Sequence, residues 1–272
     1  MNDLITHEIE QYLQEYLASV KPRTRWTKPL TGFADARDPL FLRLKTAVSP
    51  THAMPEDLLS GARSVVVYFL PFARDIVISN RAGRLASRQW ARAYIETNRL
   101  IIELNRHLAR FLKLKGAETA LMPPTHNFDT ERLISDWSHR HAAWIAGLGT
   151  FGLHNMLITK SGCCGRLGSF VTTAQLTPSK RPEREYCLYK YNRSCTACVR
   201  NCVNGALKVD SFDRRRCYEM LLENAEIHGR EGLADVCGKC TCIVPCSFTG
   251  PDLNSVDRGQ DNASDTIKEN EP

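Results

Sequence analysis

Between Cys187 and Cys246 eight cysteines follow a strict order: Cys187-x7-Cys195-x2-Cys198-x3-Cys202, then Cys217, then Cys237-x2-Cys240-x5-Cys246. They form two groups of four. A cubane [4Fe–4S] cluster needs four thiolates, a short loop can wrap three of them around one cube, and a fourth can cross over from the other group. Thiols in this pattern point to two neighbouring iron–sulfur clusters, and neighbouring clusters relay electrons.

Two other chemistries use the same residues. A pair of zinc sites also takes eight cysteines, but structural zinc usually draws its ligands in pairs from two separate knuckles. Cys195, Cys198 and Cys202 instead crowd three thiols into one short turn. A disulfide framework belongs to small secreted domains, and the N-terminus, polar and amphipathic, has no apolar signal segment. A reducing cytoplasm is the expected compartment. Three of the eleven cysteines, Cys163, Cys164 and Cys242, stand outside both groups. The adjacent pair could bind a metal or act as redox thiols, although small buried residues in a Gly-rich turn account for it as well.

Reductive chemistry also needs a proton donor. His126, Asp129, Asp136, His139 and His141 supply candidates within one segment. Asp136 and His141 rank first, although Asp136 and Arg140 have the i,i+4 spacing of a surface ion pair on a helix. His139 and His141 would point to opposite sides of that helix. Tyr68, inside an apolar strand, suits the core better than a site.

These groups need elements to position them. Apolar residues at helical spacing predict an amphipathic helix over 3–20. Residues 21–61 have no long periodic run and are expected to be irregular. The run 63–72 is the best strand. A long helix is expected over 84–115, closed by Gly116, with Tyr94, Ile101, Leu104, Leu108 and Phe111 on one face. Arg88, Arg92, Arg99, Arg106, Arg110 and Lys113 occupy another face, which reads as solvated or as a dock for RNA or another polyanion; it carries no interleaved aromatics. A strand follows over 117–122, a helix over 130–146 begun by Asp129 or Thr130, and strands over 156–159 and 167–176. Strands alternating with helices predict an α/β (α+β) domain with a central sheet flanked by helices.

Composition sets outer bounds. At 272 residues, 43% hydrophobic and 24% charged, the chain has a globular make-up, with no apolar run long enough to cross a bilayer. The net charge of +6 is unevenly placed: six acids stand against Arg258 and Lys268 after residue 250, a net of −4 that leaves +10 on the rest. That acidic tail, nearly without apolar residues, is expected to be disordered. The basic body would attract nucleic acid, an anionic cofactor or an acidic redox partner.

The order of motifs resembles the epoxyqueuosine reductase family. Gly147-Leu148-Gly149-Thr150-Phe151-Gly152 comes first, then Leu167-Gly168-Ser169, then the two cysteine groups. Cys202-Val203-Asn204-Gly205-Ala206-Leu207 is similar to the Cys-Pro-x-Gly-Ala-Ile of ferredoxins, with Val203 in place of proline, and Arg216-Cys217 also matches. The resemblance implies a corrinoid-binding α/β domain (1–180), a ferredoxin-like domain with two [4Fe–4S] clusters (181–250) and the tail (251–272). It implies that Cys187, Cys195, Cys198 and Cys246 hold one cluster and Cys202, Cys217, Cys237 and Cys240 the other. It further implies cobalamin, with Gly147, Gly149, Gly152, Gly165 and Gly168 admitting the macrocycle, an electron donor such as a ferredoxin or flavodoxin, and a small or nucleoside-type substrate, tRNA included. The family's acid position is Leu133 here, and the chain is expected to lack the helical-repeat extension that many members use against tRNA. The competing expectation is a ferredoxin-like electron-transfer or partner-binding protein without cobalamin.

Overall fold

A computed structural model describes residues 1–250; the acidic segment 251–272, for which disorder was expected, lies outside the described residues. Helix α1 (Asn2–Val20) buries Ile5, Ile9, Leu13 and Tyr16 along one face, as its spacing predicts. The segment after it is not irregular throughout. It contains strand β1 (Leu30–Asp35) and two short helices, α2 (Pro39–Ala47) and α3 (Pro55–Leu58). None is long enough to show a period. Helix α2 is started by Asp38, whose carboxylate accepts the Leu40 N–H ahead of Pro39 in the first turn. Strand β1 exists because it pairs antiparallel with β2 (Ser64–Pro71), from Leu30 opposite Phe69 to Asp35 opposite Ser64.

Strand β2 is buried along its whole length, so both faces of the sheet are covered. Its alternate residues divide between two apolar clusters. Val66, Tyr68 and Leu70 face α1 and α5 (Arg88–Leu114), while Val65 and Val67 face α2 and α6 (His139–Ile145). Between β2 and α5 lies α4 (Arg74–Ser79). Helix α5 starts where Ser87 accepts the Trp90 N–H and ends ahead of Gly116 in the left-handed region, close to the expected bounds. The sheet is completed by β3 (Thr119–Leu121) and β8 (Gly165–Thr172), in the order β1-β2-β8-β3 with every pair antiparallel. The expected central sheet flanked by helices is thus present, as a mixed α and β fold on an antiparallel sheet.

The expected helix over 130–146 is replaced by a hairpin and a shorter helix. Strands β4 (Phe128–Asp129) and β5 (Ile134–Ser135) pair, and α6 begins only at His139. The Asp129 carboxylate accepts the N–H groups of Glu131 and Arg132, which closes a turn rather than starting a helix. Leu133 sits at φ +54°, outside any helix. A second hairpin joins β6 (Gly149–Phe151) and β7 (Leu157–Thr159).

Residues 181–250 fold as short helices on loops: α7 (Leu188–Asn192), α8 (Ala197–Arg200), α9 (Arg214–Ile227) and α10 (Lys239–Cys242). Cys187, Ala197, Cys198, Leu207, Cys242 and Val244 belong to the same buried apolar cluster as Ile5, Tyr68 and Leu104. One core therefore runs from the sheet into the cysteine-bearing segment.

Candidate metal centre

Four cysteines meet at one cavity, and four others lie near enough to influence one another. A cavity is walled by Cys187, Cys195, Cys198 and Cys246, with Leu153, Leu188, Val244 and Pro245 closing it. Cys187 precedes α7, Cys198 lies in α8, and Cys246 arrives from the far end of the described chain. In the second set Cys217 lies in α9 and Cys240 in α10. Burial first, and then its neighbours Cys237 and Cys202, push the Cys217 thiol up to about 11. Cys198 is likewise pushed up to about 11 by burial and then by Cys187 and Cys246. Cys240 is raised by burial and by Cys237, Cys217 and Cys202, with Cys198 of the first set close enough to add to them. Buried thiols that raise one another hold their protons until a cation replaces them. All eleven cysteines are free thiols.

Thiol spacing separates one ion from a cluster. Four thiolates around one zinc at about 2.3 Å stand about 3.8 Å apart. Among the described residues, one group of three or more His, Cys, Asp or Glu ligand atoms falls within 4.8 Å of one another: His154, Cys163 and Cys246. Neither four-cysteine set is that tight, so each could hold a cube more readily than a single ion.

The rest of the chain holds these loops in place. Asn80, beyond α4, donates to the Cys237 carbonyl at 2.8 Å and accepts the Ser87 N–H at 2.9 Å. Arg81 donates to the Cys242 carbonyl, and the buried Lys239 ammonium donates to the carbonyls of Asn80 and Ala82 at 2.9 and 2.7 Å. Gly238, at φ +72°, leaves no room for a Cβ because the Trp90 ring lies against it. Backbone donors reach two of the thiols: Leu153 N–H to Cys187 at 3.4 Å and Leu207 N–H to Cys202 at 3.3 Å.

The i,i+4 spacing predicts that Arg140 pairs with Asp136 on a helix surface. Arg140 is instead half-buried, donates to the Asn155 carbonyl at 2.6 Å, and lies close enough to Cys217 to favour its thiolate. Asp136, which precedes α6, accepts the Thr51 hydroxyl at 2.6 Å and is exposed. His141 is held by Ser138 at 2.8 Å and packs on Phe151; burial, then Arg140 and His52, lower it to about 4, so it is neutral at neutral pH. His139 bridges Ser169 and the Pro123 carbonyl, and burial lowers it to about 4. Tyr68 is fully buried and donates to Asn105 at 2.8 Å. Arg88 and Arg92 on α5 pair with Glu231, while Arg99, Arg106, Arg110 and Lys113 are exposed.

The five glycines assigned to a corrinoid are filled on their Cβ side by the chain itself. A Cβ would meet Lys180 at Gly147, the Ile158 carbonyl at Gly149, the His154 ring at Gly152, the Leu70 carbonyl at Gly165 and the Tyr68 ring at Gly168. Gly168 lies directly across the sheet from Tyr68, whose ring covers it. Each glycine lets one part of the protein pack on another. The residues missed in the sequence, His154 and Arg140, are ones whose neighbours depend on the second hairpin and on the true start of α6.

No family model matches the chain, and no curated protein matches it. Its fold is shared with solved structures. An epoxyqueuosine reductase from Bacillus subtilis superposes with a TM-score of 0.54 at 21% identity, over 91% of this chain and 70% of that one. An epoxyqueuosine reductase bound to a tRNA-Tyr stem loop modified with epoxyqueuosine gives 0.54 and 21%, over 89% and 66%. A reductive dehalogenase whose structure suggests a mechanism for B12-dependent dehalogenation gives 0.54 and 16%, over 88% of this chain and 32% of that one. At such identities the likeness is one of fold, and it is the fold that the motif order implied.

Proposed function

We propose that this chain is an iron–sulfur oxidoreductase that carries two [4Fe–4S] clusters, one on Cys187, Cys195, Cys198 and Cys246 and one on Cys202, Cys217, Cys237 and Cys240. The observation that carries this reading is the cavity where Cys246 folds back to join Cys187, Cys195 and Cys198, with neither four-cysteine set as tight as a single ion requires. Bound there, the clusters supply one-electron storage and transfer. The protein's own part is positional. Asn80, Arg81 and Lys239 clamp the loop that carries Cys237 and Cys240, Arg140 offsets negative charge at Cys217, and Leu153 and Leu207 donate to thiolates. Cys198 and Cys240 are mutually close, which supports transfer between the two sets. The fold shared with reductases supports an enzyme; a small or nucleoside-type substrate, a cytoplasmic setting and a small electron donor such as a ferredoxin or flavodoxin complete the proposal.

A second reading adds cobalamin as the electron acceptor, favoured by the fold shared with a dehalogenase described as B12-dependent. The five glycines do not form a cradle for it, since their Cβ space is taken by the chain. No step is therefore derived through a corrinoid. The absorbance spectrum of protein purified without oxygen tests both readings. A broad iron–sulfur band is expected; added corrinoid bands would establish the second reading, and a colourless protein would contradict both.

A further inference from the structure

The tip of the β6–β7 hairpin lies against two thiols of the first cysteine set. The tip is closed by Gly152 N–H to the Met156 carbonyl at 2.8 Å and Asn155 N–H to the Gly152 carbonyl at 3.0 Å. Arg140 anchors it from α6 through the Asn155 carbonyl. Two consecutive residues of this tip then reach two thiols of one set: the Leu153 N–H points at Cys187 Sγ, and His154 Nε2 lies 3.6 Å from Cys246 Sγ.

The tautomer of His154 follows from its other nitrogen. Nδ1 accepts the Met156 N–H at 3.1 Å, so in the neutral ring the proton is on Nε2 and faces the Cys246 sulfur. The ring is buried, 5% exposed, and it lies over Gly152 where a Cβ would otherwise stand. That contact gives Gly152 a reason unconnected with a corrinoid.

We propose that His154 is a positioning residue of the first cluster, donating an Nε2–H···S hydrogen bond to Cys246 that raises this cluster's reduction potential above that of the same cluster without it. A hydrogen bond to a ligand sulfur withdraws charge and favours the more negative, reduced state. The inference rests on the double-cluster reading. It makes the hairpin tip of the sheet-bearing region a setting device for a cluster held largely by the following segment.

The test is a potentiometric titration of the full-length, anaerobically reconstituted protein, followed by paramagnetic resonance. His154→Leu is expected to shift one midpoint to more negative potential, leave the other in place and keep the iron content. His154→Gln, which retains an N–H donor, should recover part of the shift. Gly152→Ala, which displaces the ring without removing it, should shift the same midpoint in the same direction. Unchanged midpoints at full iron content in both His154→Leu and Gly152→Ala would overturn the proposal. So would loss of the same cluster in both His154→Leu and His154→Gln, which would make the imidazole a ligand, and so would a single zinc or copper ion found bound to His154, Cys163 and Cys246. Fewer than two clusters in the unaltered protein would instead defeat the reading beneath it, before any variant is compared.

Discussion

Cys246 walls the same cavity as Cys187, Cys195 and Cys198, while Cys242, four residues earlier, does not. Cys242 is fully buried and its sulfur accepts from Asn80 at 3.4 Å, which is the environment of a packed thiol. Cys246→Ser should therefore remove one cluster, about half the iron, whereas Cys242→Ala should keep both; iron analysis with paramagnetic resonance distinguishes them. Local spacing made the ligands legible, because closely spaced cysteines such as Cys195, Cys198 and Cys202 suit a pair of neighbouring clusters. His154 was not legible, since a lone histidine two residues past a glycine acquires meaning only when Cys246 folds back beside it. A further residue-scale consequence concerns acid. His139 is lowered from 6.5 to about 4 by burial. Its neutral form is favoured in the folded state, so the unfolded chain binds the extra proton between these values. The contribution is complete above about pH 6.5 and is lost as pH falls toward 4. The melting temperature of His139→Gln should vary less with pH across that window than that of the unaltered protein; equal slopes would contradict the assignment.

At the scale of elements, α5 could be read because it is long enough to display its period, and β2 because a continuous β-branched and aromatic run marks a strand covered on both faces. The segment 130–146 misled because Asp129 suits a helix start and a turn equally; the left-handed Leu133 decides for the hairpin. Strand β1 could not be read because its partners in β2 lie about thirty to forty residues away in sequence. The element with the clearest energetic consequence is the end of α4. Asn80→Ala would leave the Cys237 carbonyl and the Ser87 N–H without their partners, each at a cost of about 1–3 kcal/mol for a buried group. The expected result is a lower melting temperature together with earlier loss of the second cluster than of the first under chelator. Loss of both clusters at the same rate would show that Asn80 does not serve the second loop specifically.

For the molecule as a whole, one apolar cluster joins α1, the sheet and the cysteine-bearing segment. The resemblance implies a division at residue 180, and the buried apolar cluster includes residues from both sides of it. Heating the reconstituted full chain should therefore give one calorimetric transition, and two well-separated transitions would contradict a shared core. Antiparallel pairing through the sheet was hidden in the sequence because strand direction depends on connections that no local pattern records. The central claim is that eight thiols form two four-ligand sets, and metal analysis of the anaerobically reconstituted protein tests it most directly. About eight iron and eight sulfide per chain are predicted; about four iron, or about two zinc without sulfide, would contradict it.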